Sequence, residues 1–343
     1  MNFKFNDVKL DKGMYSQSGK TFAQVLESLD PSEEYKGTAF EGMDAYQRQL
    51  KRFDIKVRGA GSDMVEKFFQ TSQSSVLFPE YVARSVRAGM DEGNILPSIA
   101  ASVTNFDGLD YRSIYSTAGE NEKSLRVVGE GAAIPQTEVR VRENTVRLRK
   151  RGRLLVASYE AIRFQRLDLF SVMLRQIGGQ IMRMHLDDAI DVIRNGDGNS
   201  NTATAYAVGD TTIGGTSGSL SYSELIKFWN SFDPYTLNTM LVSPSAMVSI
   251  LACKEFQNPM AGLNFQGTGE PGNPLGAKLI RTGAVPDGMI IGLDRAYALE
   301  MVCSGDVSVE YDRLIDRQLE RAAITSISGF AKLYTEASKT LSI

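Results

Sequence analysis

Histidine is nearly absent from this 343-residue chain, His185 being the only one. A single imidazole cannot build a multi-histidine metal site, and a catalytic triad would need a nucleophile that no pattern here supplies. With Asp188 one turn on, His185 reads as a polar residue on a helix face. Cysteine is scarce too. Cys253 and Cys303 lie far apart and outside any CxxC pattern, so without a secretion signal they read as reduced, partly buried thiols. The first ten residues are charged and polar and lack the apolar centre of a signal peptide, which makes synthesis in a cytoplasm the default. No apolar run approaches the roughly 18 residues of a membrane span. Net charge is only −3, so no long-range positive field draws the molecule onto nucleic acid.

The usual signatures of small-molecule chemistry fail in turn. The glycine-rich stretches at Gly214-Gly215 and from Gly267 to Gly276 have no P-loop lysine and no GxGxxG spacing, so they read as loops. Asn195-Gly-Asp197-Gly-Asn199 begins like a calcium loop. However, Ser200 stands where the sixth-position glycine belongs and Tyr206 where the twelfth-position glutamate belongs. A helix C-cap running into a loop explains the same residues. No catalytic residue, metal or cofactor is expected, although paired carboxylates can still meet across a fold.

What is present is an order of parts, in a chain long enough for one large domain or two to three lobes. Residues 1–75 read as an N-terminal arm. Thr21 and Gln24 fit a capping box ahead of Phe22, Val25, Leu26 and Leu29, and Asp30-Pro31 stops that helix. A second stripe carries Phe40, Met43, Leu50 and Phe53; a third carries Met64, Val65, Phe68 and Phe69. Stripes this short form little core alone, so they are expected to pack on the main body or on a neighbouring chain.

A turn at Phe78-Pro79 and a helical stretch follow. Between Tyr111 and Val156, Val139, Val141, Val146 and Leu148 alternate with arginines at the strand period, around a Gly129–Pro135 tip. The strongest helix runs from Asp168, as its cap, to Asn195-Gly196. Phe170, Leu174, Ile177, Ile181 and Met184 form its stripe, and Gly178-Gly179 suggests a bend or a close crossing. Residues 220–303 read as an α/β unit: Ser221 and Glu224 open a helix, Met240–Val242 is a strand, Ser243-Pro244 restarts a helix and Met289–Ile291 is another strand. Strand-like alternation returns in the tail.

The densest chemistry is basic. Arg140, Arg142, Arg147, Arg149, Lys150, Arg151 and Arg153 fall in one short span with Glu138 and Glu143. No aromatic residues interleave to stack bases, whereas guanidinium groups suit carboxylates across an interface. The six arginines, with Phe22, Leu26, Phe40 and Phe68 of the arm, are therefore candidate intersubunit contacts.

This sequence resembles the HK97-type major capsid fold of tailed phages over about residues 76–340. The likeness is carried by Leu77-Phe-Pro79, by Thr145–Lys150 leading to Leu154–Glu160, and by Leu186–Ile190 with Asn195–Gly198. In the second half it is carried by Asn273–Gly276, Gly292–Asp294 and Val307–Glu310. Order and spacing persuade, more than any single motif. The resemblance implies an α+β fold with an arm (1–75), a peripheral domain (76–110, 158–219 and 304–343) holding a spine helix at 168–195, an extended loop (111–157) and an axial domain (220–303). It also implies hexamers and pentamers closing into an icosahedral shell around double-stranded DNA, assembled in the host cytoplasm and located in the virion. The partners implied are portal and decoration proteins and non-specific contact with the packaged DNA, with no membrane involved. The short stretch before Leu77 points to a separate scaffolding protein, or none. On this reading the arm and hairpin bury their stripes on sister molecules, and deleting residues 1–70 leaves a soluble monomer that forms no particles. Two alternatives stand beside it: an encapsulin-type nanocompartment packaging cargo enzymes and, more remotely, an α/β hydrolytic enzyme using the 220–303 lobe.

Overall fold

A computed structural model describes residues 4–17, 20–106, 108, 111–116, 127–130, 139–141, 144–158, 160–161, 164–215, 219–258, 260, 272–305, 307–314 and 316–343. Its longer helices are α1 (Phe22–Leu29), α2 (Ala45–Arg52), α3 (Phe78–Glu92), α4 (Leu167–Asn195), α5 (Tyr222–Asn230) and α6 (Pro244–Leu251). Its strands are β1 (Ala100–Asn105), β2 (Ile114–Ser116), β3 (Val139–Val141), β4 (Arg149–Ser158), β5 (Thr204–Ala207) and β6 (Thr239–Val242), followed by β7 (Lys278–Arg281), β8 (Met289–Leu293), β9 (Leu299–Cys303), β10 (Ser308–Leu314), β11 (Leu319–Lys332) and β12 (Ser338–Ser342). The chain divides into two units. The first comprises Met1–Gly93, Arg151–Met182 and Asp306–Ser326; the second comprises Asn94–Lys150, Arg183–Gly305 and Ile327–Ile343. Of the expected hairpin, residues 117–126 and 131–138, which include most of the Gly129–Pro135 tip, lie outside the described residues.

In the first unit the helices start where side chains can cap them. Gln24 N–H donates to Thr21 Oγ1 at 3.3 Å while Thr21 N–H donates to Gln24 Oε1 at 2.9 Å, the reciprocal box expected there. Asp44 and Gln47 form a second box that opens α2. Phe78-Pro79 is not a turn, as expected, but the first turn of α3, where proline's missing N–H costs nothing. Leu167 precedes Asp168 in α4, so Asp168 sits inside the first turn instead of capping it.

α3 and α4 cross at paired glycines. A Cβ on Gly89 would lie 2.0 Å from Arg175 O, and one on Gly178 would lie 2.0 Å from Val86 O. Backbone therefore touches backbone, the close crossing that Gly178-Gly179 suggested, and α4 stays continuous through it. Because neither obstacle is a movable side chain, Gly178→Ala is expected to destabilise the subunit by about 1–3 kcal/mol, read as a lower urea midpoint. A midpoint equal to wild type would show that the helices can part without loss.

The arm corrects an expectation. Phe22, Leu26 and Phe68 are 3 %, 0 % and 0 % exposed, packed with Leu77, Val82, Leu174 and Ile177 in one core. Phe40 is half-buried against Phe5, with ring centroids 5.1 Å apart. Phe22, Leu26 and Phe68 are covered by their own chain, whereas Leu29 and Met64 of the same stripes stay exposed, and deleting residues 1–70 would tear out a core instead of freeing an arm. Polar staples hold these stripes there. Tyr15 Oη donates to Val76 O at 2.7 Å and accepts from Glu80 N–H at 3.1 Å, and Tyr46 Oη donates to Leu77 O at 3.2 Å.

At the centre of the arm Arg48 is 0 % exposed. Its Nε donates to Asp30 Oδ2 at 2.6 Å, one terminal nitrogen donates to Asp30 O at 2.6 Å, and the other donates to Ser32 Oγ at 3.1 Å and to Met43 O. The Tyr35 ring lies 4.2 Å from the guanidinium carbon.

The second unit is built on two sheets. One has strand order β5-β12-β8-β6-β7, with β12–β5 and β6–β7 parallel and the central pairs antiparallel. Phe228 and Phe232 of α5 and its exit, with Met247 and Ile250 of α6, bury against it. Ser243 accepts from Ala246 N–H, so the expected proline-started helix forms. In the other sheet β9 lies parallel to β1 and antiparallel to residues 328–332 of β11. Just past the end of α4, Asp197 accepts from Asn199 N–H at 3.2 Å and from Lys332 N–H at 3.0 Å. Lys332 Nζ donates to Ile193 O at 3.1 Å, placing a cation at the C-terminal end of α4, where the helix dipole favours one. His185 is 1 % exposed, a buried residue and not the polar face residue expected.

Candidate assembly surfaces

β4 has two different sides. Leu155 and Ala157 pack on the first unit's core, while Leu154 and Val156, which alternate with them, are 53 % and 50 % exposed. The strand runs alongside α4 in the opposite sense. Arg153 bonds to Gln180, and three residues further along β4, Val156 shares an apolar cavity of about 150 Å³ with Met173, Phe78 and Phe170. Three strand residues and seven helix residues both advance about 10 Å, so the two elements stay in step.

On α4 itself Leu169, Val172 and Met173 follow at the helical i, i+3, i+4 spacing and are 62 %, 59 % and 43 % exposed, and Phe164, just before the helix, is also exposed. The opposite side of the same turns, Leu167 and Leu174, is fully buried. A helix that is apolar on both sides has a second surface to cover, and a cluster of exposed large apolar groups marks an interaction site. The sequence carries the signal, because six of the eight residues Leu167–Leu174 are apolar. Tracing the single stripe from Phe170 to Met184 hides it, and Met184 proves to be half exposed.

Arg140 sits in β3, paired in register with Tyr115, and Arg142 lies outside the described residues. Arg147 is exposed and Arg151 half-buried. Arg149 bonds to Asp188 and lies 3.7 Å from Asp191, so the acidic surface it meets belongs to its own chain. Arg153 is likewise engaged by Gln180.

Among the described residues there is no group of three or more His, Cys, Asp or Glu side chains able to hold a metal, and no helix long and apolar enough to cross a membrane. Both cysteines are unbridged, and burial pushes the Cys253 thiol up, which makes it a poor nucleophile.

The mixed architecture, with its long helix and two five-stranded sheets, is that of the HK97-type shell proteins. It superposes on the virus-like particle from Pyrococcus furiosus with a TM-score of 0.51 at 11 % identity, covering 76 % of this chain and 98 % of that one. The capsid of cyanophage P-SCSP1u matches at TM-score 0.51 and 11 % identity, over 71 % of this chain and 86 % of that one. The mature capsid of bacteriophage PhiM1 matches at 0.50 and 10 %, over 73 % and 87 %. No curated protein matches in sequence. The sequence profile of a family described as phage capsid protein matches residues 142–320, more than half of the chain. The chain belongs to that phage capsid protein family, which makes it a structural protein in class.

Proposed function

We propose that the chain is the repeating subunit of a phage head, forming hexamers and pentamers that close an icosahedral shell around double-stranded DNA. The observation that supports this most is the exposed apolar face of β4 and α4, in a chain whose arm is already covered. Copies meeting at such a face each hide several apolar side chains, and a closed symmetric shell repeats the contact on every subunit. The assignments of arm, peripheral, axial and extended-loop roles belong to the same proposal, as do assembly in the host cytoplasm and residence in the virion. Portal, decoration and separate scaffolding proteins would be its partners.

A second reading is a nanocompartment shell that packages enzymes. The near-complete coverage of the Pyrococcus furiosus particle subunit favours it. Electron microscopy of the purified protein, followed by nuclease treatment and extraction of the contents, separates the two. Closed shells that protect DNA when made alongside the other proteins of their source support the phage head. Shells holding a cargo protein and no DNA support the compartment, and a monomer at high concentration under all conditions overturns both.

A further inference from the structure

The ribbon β2–β3 of the second unit is held at its root on both of its sides. On the outgoing side Glu300 of β9, 7 % exposed, accepts from Thr104 Oγ1 at 2.7 Å, Tyr111 Oη at 2.6 Å and Ser113 Oγ at 3.1 Å. One buried carboxylate thus ties β1 and the residues just before β2 to the sheet, through hydrogen bonds of the stronger, charge-assisted kind. The Tyr111 ring meets Phe106 edge-on at 5.5 Å and packs on a small cluster of Val146, Val302 and Ala331.

The returning side is tied to the same root at Val146. Val146 N–H donates to Tyr111 O at 2.7 Å, and the chain then crosses Gly329 so closely that a Cβ there would stand 2.8 Å from Arg147 O. Alongside, residues 144–149 border an open cleft of about 580 Å³ shared with Asp188, Asp191 and Gly198. Side-chain bonds cross it, Arg149 to Asp188 and Asn144 Nδ2 to Gly198 O at 2.9 Å, and from Arg149 the chain is strand β4, paired with β11.

We propose that Glu300 is the pivot of the ribbon, a positioning residue that fixes the outgoing limb and so sets the direction of the β2–β3 pair. Resting on the shell reading above, that direction governs the angle between neighbouring subunits and the uniformity of the particles. In a buried network every member matters to the others, so removing the shared acceptor frees three hydroxyls at once.

The experiment compares wild type with Glu300→Ala, Glu300→Gln and Tyr111→Phe by two readouts. The first is hydrogen exchange of the unassembled subunit. Loss of bonds to a charged acceptor predicts exchange faster by about tenfold or more at residues 111–116 in Glu300→Ala, less in Glu300→Gln, and unchanged protection in the β5–β8 sheet. The second is the spread of particle diameters by cryo-electron microscopy. A broadened or aberrant population is expected for Glu300→Ala, with partial recovery in Glu300→Gln. If Glu300→Ala does not fold, Tyr111→Phe carries the test, since its ring still packs on Phe106. Wild-type exchange rates at 111–116 in the variants, or uniform shells despite fast exchange, overturn the pivot. Failure of wild type to form shells overturns the shell reading and leaves the exchange result to decide the anchor alone.

Discussion

Asp30→Ala is expected to destabilise the unassembled subunit by about 3–5 kcal/mol, the range for breaking a buried ion pair from one side. The loss is large because Arg48 cannot reach water: its side chain is 0 % exposed and two of its hydrogen bonds end on Asp30. Removing the carboxylate leaves a buried guanidinium whose remaining counter-charge is Glu27, 4.0 Å away and partly exposed. Urea denaturation should show the midpoint falling by roughly 1–2 M, given a slope of about 2–3 kcal/mol/M.

Asp30→Asn keeps an acceptor and should lose less. Replacing both partners, Asp30→Leu with Arg48→Met, should recover most of the stability, because the charge and its compensation leave together. Tyr35 adds a check by pH. Burial first, and its bond to Asp30 second, raise the phenol from about 10 to about 12. Its contribution is therefore complete below pH 10 and lost as pH rises from about 10 to 12. Tyr35→Phe should lack that alkaline step. An Asp30→Ala midpoint within 0.5 M of wild type would mean that the arm does not hold Arg48 in a dry site.

The node was invisible in the sequence, for the same reason that the Glu300 root was. Asp30 looks like a helix stop and Arg48 like one of many arginines on an amphipathic stripe. Only folding brings them within 2.6 Å, and Glu300 meets Tyr111 across 189 residues of chain. Local chemistry fared better. The Thr21–Gln24 box, the proline-started α6 and the long helix ending at Asn195 all follow from side chains that satisfy nearby backbone groups, so a few consecutive residues suffice to read them. The strands around Met240 and Met289 show in the same way, as short apolar runs.

The arm marks the boundary between the two kinds of information. Periodicity shows which side of α1 is apolar, but not what covers it. Eight-residue helices are too short to stand alone, and that argument is equally satisfied by a neighbour's surface or by α3 of the same chain. Here the chain covers its own arm, which moves the candidate contact surface from Phe22, Leu26 and Phe68 to the outer side of α4.

That relocation makes the second large effect specific. The double substitution Leu169→Asp with Val172→Asp should leave the subunit folded, since both side chains are about 60 % exposed and surface changes of this kind usually stay within about 0.5 kcal/mol per site. Assembly should fail. Covering a carboxylate without a partner costs at least about 2–3 kcal/mol even after relaxation, and each 1.4 kcal/mol is about tenfold in an equilibrium constant. Two such charges at one contact raise the concentration needed for that contact by roughly a thousandfold or more. Because a shell closes only when every contact forms, the particle yield responds to the product of many such factors. Light scattering behind a sizing column, with electron microscopy of the eluate, should find subunits or small oligomers where wild type gives closed particles. The urea midpoint and far-ultraviolet circular dichroism should match wild type in the same samples. Val248→Asp, at a 69 % exposed position on α6 in the second unit, controls for added charge alone and should assemble if the contact lies on α4. Normal shells from the Leu169/Val172 variant at wild-type concentration would remove the β4–α4 face from the assembly mechanism, and unfolded protein would mean that the face is covered by its own chain.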